Sequence, residues 1–318
     1  MNLKKFGKYA AALILLFCLV FSSCGSNGEI WRSLYEKTGT EIAAKTTPSV
    51  GSVGGEWAVI GLSRSDKLTD EFAGEYLKAA AEYVKEIGSN RLHSLKSTEN
   101  SRLILGITAA GGDPTDIGGY NLIEGLADTD YIKKQGSNGP IWALIAFDCG
   151  NYDIPSERSV TRGGLIDFIL SIQCSDGGWG FTENSSDIDM TAMALQSLAP
   201  YTDKENVSSA ADKALRYLSD NQNDKGGYES YGTQNCESCA QVTVALCSLG
   251  INPQTDERFI KNGSSVLDAL CSFAADGGFC HQKDKPQMNQ MATEQAYYAL
   301  TAYGRLQNGK SALYTMYK

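Results

Sequence analysis

Two kinds of apolar pattern alternate along the chain. One is a one-sided stripe. Phe72, Tyr76, Ala80, Tyr83, Val84 and Ile87 recur at helical spacing, with Glu75, Lys78, Glu82 and Lys85 on the opposite face. That 3.6-residue period predicts an amphipathic helix with one face on a core. Comparable stretches cover residues 30–42, 122–126, 165–172, 211–218 and 266–273. The other pattern is a short segment, rich in small residues and apolar on nearly every side, such as 240–249 or 296–303. A helix without a polar face must be buried all round or line a cavity.

The second pattern repeats. Each all-apolar segment carries an apolar pair: Val59-Ile60, Ile104-Leu105, Ala143-Leu144, Ala194-Leu195, Ala245-Leu246 and Ala299-Leu300. The second members are separated by 45, 39, 51, 51 and 54 residues. Periods of this size mark stacked supersecondary units. The turns agree: Asp176-Gly177-Gly178-Trp179, Lys225-Gly226-Gly227-Tyr228 and Asp276-Gly277-Gly278-Phe279 each follow an outer stripe. Pro114, Pro155, Pro200 and Pro253 come just after inner segments and stop them, while Pro140 suits a helix's first turn. Strand signals are weak. The pattern predicts an all-α fold: a closed α/α toroid of about six helical hairpins, six inner and six outer helices. An open solenoid is the less favoured arrangement, because six units with an aromatic-rich inner layer suit closure.

The N-terminus is set aside as a targeting segment. Lys4, Lys5 and Lys8 precede an apolar run from Ala10 to Phe21, too short to span a bilayer comfortably. Phe21-Ser22-Ser23-Cys24 resembles the lipobox of bacterial lipoproteins, with Phe21 where Leu is usual. The expected division is a lipoprotein-type signal peptide over residues 1–23, a tether and first outer helix over 24–48, and the toroid over 49–318. Lipidation of Cys24 would hold the mature chain on the outer face of a bacterial cell membrane. Without residues 1–23, which hold three lysines, the net charge falls from −9 to −12. No basic cluster is present, so nucleic acid is excluded as a partner. Seven cysteines follow Cys24, and an odd number in an exported chain does not read as a disulfide framework.

Gln173-Cys174-Ser175-Asp176-Gly177-Gly178-Trp179-Gly180-Phe181 resembles the Gln-Trp repeat of squalene and terpenoid cyclases, and residues 222–228 form a second copy. In the third, Phe273 stands in place of the glutamine. From about Ser49 onward the chain is similar to the prenyltransferase and squalene-oxidase repeat family. That resemblance implies an α/α toroid shared by triterpene cyclases, protein prenyltransferase β subunits and cobalamin carriers of the transcobalamin and intrinsic-factor type. Such a fold hosts several functions, so the site must be argued from its residues.

Six residues before each apolar pair's second member stand Gly54, Glu99, Asn138, Asp189, Ala240 and Glu294. In a closed ring these positions share one mouth, and four of the six are acids or amides. Helix capping and the helix dipole are an alternative explanation for all four. Gln241 and Gln295, one residue further on, fit a ligand-facing role better than a capping one. Trp142 and either Tyr297 or Tyr298 are expected in the wall, and Trp57 belongs to the same set of aromatics.

Asp187-Ile188-Asp189-Met190-Thr191-Ala192 is similar to the Asp-x-Asp-Asp-Thr-Ala box of class II terpene cyclases. The resemblance makes Asp189 a general acid and Asp187 its neighbour, with Met190 replacing the third acid. Triterpene cyclases place their site between two helical barrels, whereas one is legible here. Protein prenyltransferase chemistry fits poorly, since it needs a zinc held by Asp, Cys and His, and only His93 and His281 exist. Cys236, Cys239, Cys280 and His281 make a four-ligand set on paper. Their short spacing with no second CxxC leaves free or locally bridged cysteines as the default, and no metal is expected.

The cobalamin-carrier resemblance implies polar groups at inner-helix N-termini gripping a large ligand, at positions matching Asp189, Gln241 and Gln295. Those carriers cap the ligand with a second domain. Here Lys318 follows the last inner segment closely, so a lid would come from a second chain. Glycan-active toroids, with paired carboxylates and stacking aromatics, are a third class. The expectation is therefore an exported, membrane-anchored toroid binding a large, partly apolar or corrinoid-like molecule in its cavity, with no further cofactor. A cyclase using Asp189 and a protein-interaction scaffold are the alternatives.

Overall fold

The computed structural model describes residues 27–182, 185–230 and 232–317. The proposed signal segment and Cys24 lie outside them. Among the described residues helices predominate and build two concentric layers.

The inner layer consists of α2 (Glu56–Arg64), α4 (Ser97–Ala109), α7 (Asn138–Cys149), α9 (Ile188–Leu198), α11 (Cys236–Ser248) and α13 (Gln290–Gln307). Each packs on the next, and α13 packs on α2, so the ring is closed. The expected all-round burial is met: in α7 every residue from Gly139 to Phe147 is buried. The outer layer holds α1 (Asn27–Lys45), α3 (Asp70–Ile87), α5 (Leu122–Leu126) with α6 (Thr129–Lys133), α8 (Arg162–Ser171), α10 (Glu205–Asp220) and α12 (Val266–Cys271). α1 packs on α12 and α13, covering the seam where the ring meets itself.

α3 illustrates how the sequence writes an outer helix. Thr69 caps it by accepting from Phe72 N–H, and Gly88 ends it in a left-handed conformation. Phe72, Tyr76, Ala80 and Val84, four residues apart, are the buried stripe. Burying a large apolar side chain contributes roughly 1.5–3 kcal/mol, so such a stripe, rather than helix propensity, docks the helix.

Small hairpins form at the three Gly-Gly corners and just before α12, and the weak strand signal did not reveal them. β1 (Trp179–Thr182) pairs with β2 (Ser185–Asp187), β3 (Glu229–Ser230) with β4 (Thr233–Gln234), β5 (Ile260–Lys261) with β6 (Ser264–Ser265), and β7 (Ala274–Ala275) with β8 (Gly278–Phe279), all antiparallel. The two glycines of a corner do different work. Gly177 takes a φ of 95°, whereas a Cβ on Gly178 would sit 2.6 Å from Ser186 Oγ and 2.9 Å from Thr191 Oγ1. The glutamine of each Gln-Trp-like repeat links neighbouring outer units. Gln173 Nε2 donates to Gly177 O and Ala210 O (2.8 and 2.9 Å), and Gln222 Nε2 donates to Gly226 O and Phe259 O (2.7 and 3.0 Å).

Closure is stitched along the α13–α2 seam. Gly54 N–H donates to Glu294 Oε1 (2.9 Å), and Arg305 Nη1 donates to Arg64 O (2.9 Å). After α13 the chain turns back across the C-terminal ends of the inner helices. Arg64 Nη2 donates to Ser311 Oγ, Ala312 O and Thr315 O, and Met316 N–H donates to Cys149 O, between 2.8 and 3.0 Å. Leu313 and Tyr314 are buried beneath this tail.

Candidate functional site

The N-terminal mouth of the ring is defined by how its helices start. Asp187 Oδ1 accepts from Met190 N–H (2.9 Å), Asn235 Oδ1 from Ser238 N–H (2.8 Å), and Asn289 Oδ1 from Ala292 N–H (3.0 Å). Those side chains are the caps of α9, α11 and α13. Capping therefore does not account for Glu99, Asn138, Asp189 or Glu294, all of which lie inside their helices. The cyclase-like box divides the same way. Asp187 caps α9, and its Oδ2 accepts from Ser230 Oγ (3.2 Å). Thr191 Oγ1 accepts from Trp179 N–H (2.9 Å) and donates to Trp179 O (3.1 Å), locking the Gly-Gly corner. Thr293 does the same for Phe279. Asp189 caps no helix and holds no corner, and the Ser238 hydroxyl lies beside it.

Its surroundings are unusual for a carboxylate. Burial raises the Asp189 pKa to about 6, and the neighbouring charges of Asp187 and Glu237 push the same way against the nearby Ser238 hydroxyl. Asp189 Oδ1 is buried without a hydrogen-bond partner. Glu294 is fully buried, and burial lifts it to about 7, opposed by Gln290 and the Gly54 N–H and assisted by Glu56. Its Oε1 accepts from Gly54 N–H and Gln290 Nε2, while Oε2 is unpartnered. Asn138 Oδ1 is unpartnered too. Three of the four predicted register positions thus hold an oxygen that the fold does not use.

Glu99 is different. Arg102 Nη2 donates to it at 2.7 Å, while Arg102 Nε donates to Glu56 Oε2 at 2.8 Å. Glu56 is wholly buried and also accepts from Gly51 N–H and Tyr76 OH. Burial raises its pKa and Arg102 opposes that. Glu56 and Arg102 escaped the sequence reading. The available signal was a carboxylate at the start of an otherwise apolar helix, which demands a partner.

Below the rim, side chains from different helices meet across the axis. The rings of Trp57 and Trp142 lie 5.4 Å apart, Trp57 and Tyr298 5.9 Å, and Trp142 and Tyr314 6.0 Å. Gln196 Nε2 donates to Gln241 Oε1 (3.0 Å), and Gln241 Nε2 donates to Tyr298 OH (2.8 Å) and Gln295 Oε1 (3.3 Å). The axis is therefore packed below the mouth, where the sequence suggested an open cavity. Trp57 and Gln295 remain partly exposed at the mouth, whereas Trp142, Gln241 and Tyr298 are buried. Tyr297 does not join them. It turns outward, stacking on Tyr35 with centroids 5.7 Å apart and meeting Ser65 Oγ at 2.6 Å. Gly39 and Gly61 make its slot, since a Cβ on either would come within 2.8 Å of the ring or its hydroxyl.

Among the described residues Cys149, Cys236, Cys239, Cys247, Cys271 and Cys280 carry free thiols, and no group of three or more His, Cys, Asp or Glu side chains is placed to hold an ion. Cys236 faces Ala292 O and Cys239 the Tyr228 backbone; burial pushes the Cys239 thiol up to about 12. His281 Nδ1 instead meets Glu237 Oε2 at 2.7 Å.

No protein-family profile and no curated protein sequence matches the chain. Solved structures do resemble it. Unsaturated glucuronyl hydrolase from Bacillus sp. GL1, described as responsible for the degradation of glycosaminoglycan, superposes with a TM-score of 0.57 at 12% identity, covering 90% of this chain and 99% of the hydrolase. The ent-copalyl diphosphate synthase of Streptomyces platensis matches at a TM-score of 0.49 and 15% identity over 78% of this chain. The chain spans about half the length of that synthase, 49%. The likeness to the hydrolase, together with the closed ring of inner helices, establishes the α/α toroid fold. No described helix is long and apolar enough to cross a membrane.

Proposed function

We propose that the N-terminal mouth seats a large, partly apolar molecule rich in hydrogen-bond donors, and that the protein carries this ligand without altering it. The observation that supports the reading is the set of unpartnered oxygens on Asn138, Asp189 and Glu294 beside the partly exposed Trp57. An unmet buried acceptor costs about 1–3 kcal/mol. Three at one mouth are a standing cost that a ligand's hydroxyl, amide or ammonium groups would remove. Trp57, with Trp142 and Tyr298 behind it, offers a flat aromatic face for the apolar part. A corrinoid-like ring edged with amides has this chemistry, as does a glycan. On this reading the mature chain would be held by lipid on Cys24 at the outer face of a bacterial membrane.

A second reading rests on Asp189 itself. A carboxyl with a pKa near 6 and a free oxygen can serve as a general acid near neutral pH, as in a class II cyclase. Asp189→Asn and pH separate the two. The purified protein is incubated with a pool of corrinoids, oligosaccharides and polyprenyl compounds, and what it holds or releases is identified by native mass spectrometry. A carrier retains an unaltered molecule and binds it more tightly as pH rises through about 6, where Asp189 becomes a better acceptor. In the Asn variant its affinity falls about tenfold. An acid catalyst releases an altered molecule, loses activity above that pH, and is inactive as Asn. If nothing is held or changed, both readings fail and an interaction scaffold takes their place.

A further inference from the structure

The other end of the ring holds a second feature that the mouth does not need. Where α7, α9 and α11 end, a cleft of about 400 Å³ opens, with Ala312, Tyr314, Thr315 and Tyr317 of the returning tail as one wall. Its floor is neutral in sum. Asp148 Oδ1 accepts from Arg162 Nε (2.6 Å) and its Oδ2 from Tyr201 OH (2.7 Å), so the one ion pair there is already matched.

Two lining residues are not matched. Gln196, 95% buried at 5% exposure, uses its Nε2 on Gln241 and leaves Oε1 without a partner. Tyr314, at 8% exposure, leaves its hydroxyl without one. One is an acceptor, and the other both donates and accepts. Nothing in the fold uses the Gln196 Oε1 or the Tyr314 hydroxyl, and an unpaired buried group destabilises the chain that carries it. Serines 197 and 248, which spend their protons on Ala194 O and Val244 O, add acceptors to the same cleft.

We infer that this cleft is a second binding site, for a small uncharged ring compound bearing hydroxyl groups, held between Gln196 Oε1 and the Tyr314 hydroxyl. A hydroxyl on such a ring donates to Gln196 and accepts from Tyr314, and Tyr201 and Tyr317 flank its faces. A charged ligand is disfavoured because Asp148 and Arg162 already satisfy one another. Because the tail forms one wall, occupancy would fasten residues 311–317.

The test uses saturation-transfer NMR and thermal unfolding with three probes: methyl glucoside, phenol and, as the charged control, glucuronate. Binding of either neutral probe, with glucuronate inert, is the expected result, and which neutral probe binds tells a saturated from an aromatic ring. Tyr314→Phe should weaken that binding about tenfold, the effect of one lost hydrogen bond, while the unliganded protein melts at the same temperature or higher. Asp189→Asn, at the opposite mouth, should leave it unchanged. The inference is overturned if neither neutral probe binds, if glucuronate binds equally well, if Tyr314→Phe binds as tightly as the parent, or if binding is lost in Asp189→Asn. A crystal soaked in the bound probe that shows only water between Gln196 and Tyr314 would also overturn it.

Discussion

At the residue scale, the molecule sets two buried carboxyls against its own stability. The pKa of Asp189 rises from 3.8 to about 6 and that of Glu294 from 4.5 to about 7. Both folded values lie above the unfolded ones, so the folded chain binds more protons and stability falls as pH rises from about 4 to about 7. Asp189 accounts for on the order of 2 kcal/mol of that fall. The parent protein should thus melt at a higher temperature at pH 5 than at pH 8. Asp189→Asn should flatten the dependence; an equally steep dependence in the variant would show that Asp189 is ionised and solvated throughout. The sequence made the register of these groups legible, because repeat spacing fixes position along an inner helix. What each group touches was not legible. Glu99 is tied to Arg102 and Glu294 to Gly54, and the second of those partners is 240 residues away. Nor could spacing choose between Tyr297 and Tyr298: adjacent residues point about 100° apart on a helix, and only packing shows that 298 faces the axis.

At the scale of elements, the recurring unit is an outer helix, a Gly-Gly-aromatic corner and an inner helix, joined by one hydroxyl. Thr191 and Thr293 each serve both the N–H and the C=O of the corner aromatic, and Cys239 stands at the corresponding place beside Tyr228. Thr191→Val keeps the shape but leaves the buried Trp179 N–H unmet, and should destabilise the protein by about 1–3 kcal/mol in chemical denaturation. Ligand retention at the mouth should survive. A variant as stable as the parent would mean that the corner holds without this link. The hairpins at these corners were invisible to pattern reading because ladders of two or three residues are too short to express a period. α6 was missed for a related reason. Its five residues bury only Tyr131 and Ile132, and Asp128, which accepts from Tyr131 N–H, is what marks its start.

For the whole molecule, the closed ring was readable and its filled axis was not. Six apolar pairs and three Gly-Gly corners require a double layer of helices, and α13 packs on α2 as closure demands. How far side chains reach inward depends on which residues face each other across the ring, and Trp57 meets Trp142 from 85 positions away. The tail that crosses the far end left no sequence signal at all. Under the proposed function the ligand would meet the mouth, over Trp57, rather than the axis. Of the tryptophans, Trp31, Trp142 and Trp179 are buried, at 6%, 7% and 0% exposure, so Trp57 dominates quenching of tryptophan fluorescence by acrylamide. The most direct test is that quenching, measured with and without the molecule retained in the native mass spectrum. Quenching should fall when the ligand binds, and Trp57→Phe should abolish the change. A bound ligand that leaves Trp57 as open to acrylamide as before would place the seat elsewhere and contradict the account.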